Sequence, residues 1–247
     1  MHGMGVNVEG YVHSVETGGA VDGPGLRFVV FLSGCALRCL YCHNPDTWHM
    51  PDGKKTGVGS LLNEIASYRD FLERSGGGVT ATGGEPLAQP EFVTALFQGC
   101  KALGLHTALD TSGFLGANAT DALLDATDLV LLDIKSFDPE TYKHLTGGSL
   151  APTLRFAERL AAMGKPTWLR YVLVPGLTDD LASIEALAEY AHKLGMEKVE
   201  VLPFHKMGES KWEALNLPYT LKDTPPPSPE LVRKVKGIFI QHLLRTV

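Results

Sequence analysis

The chain alternates short β-branched or apolar runs with longer segments of helical periodicity, and this alternation constrains its fold more than any other feature. The candidate strands lie at residues 26–34, 77–84, 105–111, 128–135, 166–175 and 198–204. Between them, apolar residues recur at three- and four-residue intervals, the period of an amphipathic helix. Such alternation is typical of a parallel sheet with right-handed crossovers. Six units predict an α/β fold, a single-domain partial (β/α)6 barrel with parallel strands. A doubly wound open sheet is the alternative, because sequence order does not fix closure.

The boundaries follow from this pattern. We expect one domain over residues 1–247, with an N-terminal extension at about 1–24, a core at about 25–204 and a C-terminal segment at about 205–247. The stretch DTPPPSP at 223–229 has too many prolines for a helix or a central strand. It leads into a predicted last helix at 229–244.

Composition and charge exclude several classes of protein. No apolar run approaches the roughly 18–20 residues of a membrane span, and the N-terminus lacks the pattern of a signal peptide. We therefore expect a cytoplasmic protein with no membrane partner. The formal net charge is -6, and no dense basic stripe is present, which argues against nucleic acid as the main partner.

Polar or glycine-rich groups accompany every candidate strand, mostly at its C-terminal end. In parallel α/β proteins the chemistry collects at that edge of the sheet. The groups, in strand order, are Cys35, the stretch TGGEP, Asp110 with Thr111, Asp133 with Lys135, Arg170 and His205. Each alone has an ordinary explanation as a cap, a turn or a surface residue, but their coincidence predicts one functional site.

Three of the four cysteines lie close together in the stretch SGCALRCLYCHNP. Cys35, Cys39 and Cys42 have the spacing Cys-x3-Cys-x2-Cys, which favours a metal or cluster site in a reducing compartment over a disulfide framework. Structural zinc usually takes four protein ligands, and His43 follows Cys42 too directly to be a convenient fourth. An iron–sulfur cube usually takes four cysteines, so three would leave one iron open to another ligand. A zinc-stabilised binding module and an electron-transfer cluster are the alternatives.

The cysteine spacing, with Tyr41 before the last cysteine, resembles the signature of the radical S-adenosylmethionine (SAM) enzymes. The stretch GGEP at 83–86 resembles the second motif of that family. VDGPGLRFVVFLSGCALRCLYCHNPDTW, GGGVTATGGEPL, LDTSGF, DLVLLDIK, LRYVLVPG and LPFHKMGESKW extend the resemblance to the glycyl-radical enzyme activases, and particularly to those that act on pyruvate formate-lyase. Residues 43–82 contain no cysteine, so the ferredoxin-like insert of many related activases is absent.

The resemblance implies an activity. Three thiolates would hold a [4Fe-4S] cluster, and the amino and carboxylate groups of SAM would chelate the fourth iron. One electron would pass to SAM, and the resulting 5′-deoxyadenosyl radical would remove a hydrogen atom from a glycine Cα of the partner. The implied partner is the glycyl-radical enzyme pyruvate formate-lyase, and another glycyl-radical enzyme or anaerobic ribonucleotide reductase is the alternative. Family analogy implies flavodoxin or ferredoxin as the electron donor, and we expect a monomer.

The resemblance also implies the site residues. The SAM-binding residues would be Tyr41, Cys42, His43, Asn44, Gly83, Gly84, Glu85, Asp110, Asp133, Ile134, Lys135, Arg170 and His205. Glu85 and the backbone of the two glycines suit the ammonium group of SAM, because glycine permits close approach. Lys135 and His205 suit its negative groups and ribose hydroxyls.

Three expectations rest on single positions. Asp110, Thr111 and Asp133 resemble the family positions that hold a monovalent cation, for which oxygen ligands are suited; plain hydrogen bonding is the alternative. Asp22 resembles a position that contacts the glycine loop of the partner, and its alternative is a turn-forming role. For Arg170, the alternative to binding a carboxylate or peptide is an ion pair with Asp110 or Asp133.

Overall fold

The structure, a computed structural model, describes residues 8–242 and 244–246. The described residues form two compact units. The N-terminal unit contains the chain up to Cys35 together with residues 47–110 and 118–128, and the C-terminal unit contains residues 36–46, 111–117 and those from Leu129 onward. The single domain with the boundaries given above stays a prediction.

The strands of the N-terminal unit combine a parallel core with an antiparallel edge. They are β1 (Glu9–Gly19), β2 (Arg27–Leu32), β3 (Lys54–Gly57), β4 (Gly78–Gly83) and β5 (His106–Thr111), whose last residue already belongs to the other unit. Their order is β3-β1-β2-β4-β5. The strands β2, β4 and β5 run parallel, while β1 is antiparallel to β2 and β3. Phe28, Val29 and Val30 of β2 are fully buried, as expected of a strand with both faces covered.

The helices of the N-terminal unit are α1 (Val58–Ser67), α2 (Arg69–Arg74), α3 (Pro90–Ala102) and α4 (Asp121–Asp125). Helix α1 buries Val58, Leu61 and Ile65, which recur at helical spacing. The helical periodicity of GSLLNEIASYRDFLERS at 59–75 predicts one continuous helix. The structure instead divides it into α1 and α2 at Tyr68, whose ring packs against Phe28 with centroids 5.8 Å apart.

The C-terminal unit is an all-parallel arrangement of strands with helical connections. Its strands, in spatial order, are β6 (Leu129–Asp133), β7 (Thr167–Leu173), β8 (Lys198–Pro203) and β9 (Arg245–Thr246). Its helices are α5 (Pro139–Thr146), α6 (Ala151–Ala162), α7 (Leu181–Lys193), α8 (Glu209–Ala214) and α9 (Pro229–Gln241).

Several helices begin where a side chain caps the first turn. Asp138 Oδ1 accepts from the backbone N–H of Thr141 (2.7 Å) at α5, and Asp180 Oδ2 accepts from that of Ser183 (3.1 Å) at α7. Helix α7 therefore begins directly after the stretch GLTDD at 176–180, in which an Asp is a typical start signal of a helix. It ends at Lys193, just before Gly195, whose φ of 67° is left-handed.

The predicted fold class, α/β with parallel strands, is confirmed: each of the six predicted strands is found, as β2, β4, β5, β6, β7 and β8. Residues 9–19 of the predicted N-terminal extension form the strand β1, which pairs with β2 and β3. The last helix ends at Gln241 rather than 244, because Arg245 and Thr246 pair with β8. Position 243 of that predicted helix lies outside the described residues. Within 8–242 and 244–246, no helix is both long enough and apolar enough to cross a membrane.

Candidate functional site

Cys35 follows the end of β2 in the N-terminal unit. The backbone N–H of Cys35 donates to the carbonyl of Trp48 (3.1 Å), and that of Gly34 donates to the carbonyl of Thr47 (2.7 Å). Gly34 has a φ of 97°, a conformation that side chains rarely adopt. The chain thus turns sharply at Gly34 and is held by two backbone bonds where the cysteine loop begins.

The two glycines of TGGEP bring the end of β4 against this turn. The N–H of Gly84 donates to the carbonyl of Leu32 (2.7 Å), and the N–H of Glu85 donates to that of Gly34 (2.8 Å). A Cβ at Gly83 would lie 2.4 Å from Leu32 N, and one at Gly84 would lie 2.6 Å from Gly34 O. Neither position has room for a larger residue, so the motif has a packing role beside any role toward a ligand.

The side chain of Glu85 is buried, with 2% of the residue exposed. Its Oε1 accepts from the backbone N–H of Leu87 (3.2 Å) and caps the short 3-10 turn Pro86–Ala88. The structure therefore assigns this carboxylate a capping role. Its expected contact with the ammonium of SAM stays a prediction.

A fully buried arginine, which sequence reasoning missed, holds the turn that contains Asp22. Arg27 Nε donates to Thr80 Oγ1 (2.9 Å), which donates to the carbonyl of Asp22 (2.7 Å), and Arg27 Nη1 donates to that of Pro24 (3.4 Å). Burial lowers the pKa of Arg27 to about 10. The sequence VDGPGLR could have indicated this burial. Arg27 is the first residue of an apolar strand whose two faces are both covered, so its side chain is buried together with the strand.

Asp110 lies at the end of β5, also in the N-terminal unit, where its Oδ2 accepts from Thr82 Oγ1 (2.7 Å). Thr111 belongs to the C-terminal unit, and its Oγ1 accepts from the N–H of Gly113 (3.0 Å). Asp133 belongs to that unit as well. The monovalent-cation site expected from these three residues stays a prediction.

The loop with Cys39 and Cys42 is anchored to the end of α5 within the C-terminal unit. The N–H of Leu40 donates to the carbonyl of Leu145 (3.0 Å), and that of Cys42 donates to the carbonyl of Cys39 (3.0 Å). Cys39 and Leu40 pack against a buried cluster that includes Tyr41 and Leu145. Backbone hydrogen bonds and apolar contacts therefore fix the conformation of the loop that carries Cys39 and Cys42.

Asp133, Lys135 and Tyr41 form a polar group at the end of β6. Lys135 Nζ lies 2.6 Å from Asp133 Oδ2 and 5.7 Å from the centroid of the Tyr41 ring. Burial alone would lower the pKa of Lys135, but the charges of Asp133, Tyr41 and Cys39 raise it well above its usual value. Asp133 Oδ1 and Tyr41 Oη are buried and have no hydrogen-bond partner among the described residues. The neighbouring Ile134 is fully buried, so only its backbone is available to a ligand.

His43, Asn44 and His205 lie together around the third cysteine. His43 Nε2 donates to the carbonyl of His205 (3.1 Å), and the two rings have centroids 4.3 Å apart. Although His43 is exposed overall, the partial burial of its ring lowers its pKa, and the hydrogen bond to the His205 carbonyl opposes this shift without cancelling it. Asn44 Oδ1 accepts from Lys211 Nζ (2.8 Å). Sequence reasoning gave Lys211 no role.

Arg170, on β7, is nearly buried and lies beside Glu200 of β8. Arg170 Nε is 3.2 Å from Glu200 Oε2, and Lys198 Nζ is 3.1 Å from Glu200 Oε1. The structure gives Arg170 an ion pair with Glu200, and the pair with Asp110 or Asp133 that the sequence suggested stays a prediction. The sequence KVEV at 198–201 could have indicated this role for Glu200, because its charged residues alternate with valines and therefore lie on one face of the strand.

The donor set fits an iron–sulfur cluster. Cys35, Cys39 and Cys42 are reduced and partly exposed, and thiolates are the usual ligands of such clusters. In the part of the chain that the structure describes, no group of three or more His, Cys, Asp or Glu side chains is already placed to hold a metal ion. The two buried polar atoms of Asp133 and Tyr41 suit a polar ligand at the end of β6.

Comparison with known proteins identifies relatives over nearly the whole chain. Residues 29–191 match the sequence profile of the Radical SAM superfamily. The pyruvate formate-lyase 1-activating enzyme of Escherichia coli (strain K12) is 47% identical over 240 residues, which cover 96% of this chain and 98% of that protein. The pyruvate formate-lyase-activating enzyme of Staphylococcus epidermidis is 46% identical over 236 residues, covering 92% of this chain and 94% of the relative.

Solved structures share the fold. A domain of a pyruvate-formate lyase-activating enzyme from Bacteroides vulgatus superposes with a TM-score of 0.58 at 26% identity, covering 69% of this chain and 98% of that one. Streptococcus suis SuiB bound to S-adenosylmethionine superposes with a TM-score of 0.67 at 15% identity, covering 91% of this chain and 50% of that one. These likenesses confirm the radical SAM type of the fold.

Proposed function

The chain belongs to the radical SAM superfamily and, within it, to the family of pyruvate formate-lyase-activating enzymes, and from that premise we propose that it activates pyruvate formate-lyase by installing a glycyl radical. The observation that carries the proposal is the Cys-x3-Cys-x2-Cys loop, from Cys35 to Cys42, in a chain that matches such an enzyme over 96% of its length. Similarity of this extent covers both motifs and every core strand.

A [4Fe-4S] cluster and SAM are the cofactors of this family. When bound, they supply a one-electron cleavage of SAM to a 5′-deoxyadenosyl radical, which takes a hydrogen atom from glycine. The three cysteines hold the cluster as thiolates. No acid–base pair is required, since the step on the partner moves a hydrogen atom rather than a proton.

The remaining residues bind and orient. Lys135 stays protonated because Asp133 lies 2.6 Å away, and it supplies a fixed positive charge for a carboxylate of SAM. The backbone of Gly83 and Gly84 binds the ammonium group, and the rings of His43 and His205 border the nucleoside. Asp22, on the turn held by Arg27, contacts the glycine loop of the partner.

The wider setting belongs to the same proposal. The protein substrate is a glycyl-radical enzyme, the electron donor is flavodoxin or ferredoxin, and the activase is a cytoplasmic monomer. The absence of a basic stripe on a chain of charge -6 supports a protein partner over nucleic acid.

Electron paramagnetic resonance (EPR) tests the proposal. The reduced protein, SAM and pyruvate formate-lyase, mixed without oxygen, should yield a glycyl-radical doublet. Cys35→Ala, Cys39→Ala and Cys42→Ala should each abolish it, whereas Cys100→Ala, which changes a buried cysteine outside the motif, should retain it. A doublet that appears only with another glycyl-radical enzyme or with anaerobic ribonucleotide reductase would reassign the partner. A doublet that persists in the motif variants would contradict the proposed chemistry.

A further inference from the structure

Helix α8 and the residues before it lie against the loop that carries the third cysteine, within the C-terminal unit. Trp212 Nε1 donates to the carbonyl of Cys42 (2.8 Å). Lys211 Nζ donates to Asn44 Oδ1 (2.8 Å) and lies 3.0 Å from Asp46 Oδ2. Two successive residues of α8 therefore bind the segment from Cys42 to Asp46.

The approach of the two segments is close enough to require glycine. A Cβ at Gly208 would lie 2.7 Å from the Cα of His43 and 3.1 Å from its carbonyl oxygen. Gly208 has a φ of -85°, which any residue adopts, so the requirement is for space rather than for backbone conformation.

Trp212 is held firmly in place. It is 5% exposed, and its ring lies 5.4 Å from that of Tyr219, centroid to centroid. A buried indole N–H needs an acceptor, and the Cys42 carbonyl supplies one. Because the Trp212 ring is held in place, its N–H points in a fixed direction. The hydrogen bond therefore constrains the position of the Cys42 carbonyl.

We propose that Trp212 and Lys211 are positioning residues for the cluster loop: Trp212 fixes the Cys42 peptide, and Lys211 fixes and partly neutralises the Asn44–Asp46 span. The proposal rests on the proposed function insofar as that loop holds a cluster. Outer hydrogen bonds, net charge and solvent access set the stability and reduction potential of iron–sulfur clusters. Neither residue contacts substrate in this assignment; both act through the loop.

The Trp212 half is tested by Trp212→Phe, which retains the ring and removes the N–H. In the protein without cluster, hydrogen–deuterium exchange over residues 39–46 should become roughly five- to tenfold faster, as expected for the loss of one buried hydrogen bond. In the reconstituted protein, iron should be lost to a chelator correspondingly faster. Trp168→Phe is the matched control, because Trp168 lies on β7 under Lys198, and it should leave both rates unchanged.

The Lys211 half is tested by a charge change and its rescue. Lys211→Met removes a positive charge and leaves Asp46 without this cation, so the midpoint potential of the cluster should fall. Lys211→Met combined with Asp46→Asn restores the local net charge and should bring the potential back toward that of the wild type. A purely structural role predicts no such rescue, since the double variant has lost both partners.

The inference would be overturned if both Trp212→Phe and Lys211→Met matched the wild type in hydrogen–deuterium exchange, in iron loss to a chelator and in midpoint potential. That result would not question the cluster itself. A wild-type protein that binds no cluster would instead refute the proposed function. The exchange experiment on the protein without cluster would then still decide whether α8 positions the loop.

Discussion

At the scale of single residues, the N-terminal unit contains the fully buried guanidinium group of Arg27. The hydrogen bonds described above join this group to hydroxyl and carbonyl oxygens rather than to a carboxylate. Arg27 Nη2 donates to the carbonyl of Val79, and Nη1 lies 3.2 Å from His106 Nδ1. Burial, with the positive charge of Arg27, lowers the pKa of His106 to about 4. A neutral histidine is therefore part of the arrangement that holds the Asp22 turn.

This arrangement predicts a dependence of stability on pH. The unfolded chain has a histidine pKa of about 6.5, so between about pH 6.5 and 4 it binds more protons than the folded chain, and stability is lost as pH falls through that window. His106→Gln should lower the free energy of unfolding at pH 7.5, and its deficit relative to the wild type should shrink at pH 5. Urea unfolding at both values measures this. His192→Gln, an exposed control on α7, should show no such convergence; a deficit of His106→Gln that is constant with pH would contradict the account.

A second prediction concerns the glycine motif. Gly84→Ala would place a Cβ 2.6 Å from the carbonyl oxygen of Gly34, so the end of β4 must move from the turn before Cys35. We expect a loss of about 1–3 kcal/mol, typical of overpacking, measured by urea unfolding. Gly59→Ala is the matched control, since its Cβ would meet nothing within 4 Å on α1; there, the replacement should be neutral or stabilising. Equal free energies of unfolding for Gly84→Ala and Gly59→Ala would contradict the packing explanation.

At the scale of elements, side-chain caps set where three helices of the C-terminal unit, α5, α7 and α9, begin. Asp180→Ala removes the acceptor for the Ser183 N–H at the start of α7 and should cost about 1 kcal/mol in free energy of unfolding. Asp179→Ala, one residue earlier, should cost markedly less in the same urea titration. A larger effect at Asp179 would show that general charge near the helix, and not the cap, is responsible.

The sequence predicted best those elements whose bounds are set by residues within or next to the element itself. The buried parallel strands appear as continuous β-branched runs, and α7 is framed by a capping Asp180 and a terminating Gly195. Strand β1 was missed because glycines and charged residues interrupt its alternation, and α8 was missed because six residues carry too little periodicity. The cysteine loop was predicted from spacing alone. Its contact with Trp212 was not, because the bond joins positions 170 residues apart and depends on tertiary packing.

At the scale of the whole molecule, the strands carry their polar residues at corresponding ends in both units, and family membership explains why. Gly83 and Asp110 lie at the C-terminal ends of β4 and β5, and Asp133 lies at the end of β6. Cys35 and His205 come shortly after β2 and β8. Chemistry at the carboxyl ends of parallel strands is the rule for such folds. Cys35 belongs to the N-terminal unit, and Cys39 and Cys42 belong to the C-terminal unit.

The most direct test of the account is the metal content and reduced EPR spectrum of the protein, purified without oxygen, before and after SAM is added. The account predicts about four irons with matching sulfide per chain, and a spectrum that changes when SAM binds the iron left open by the three cysteines. About one zinc without sulfide, or a cluster whose spectrum does not respond to SAM, would contradict it.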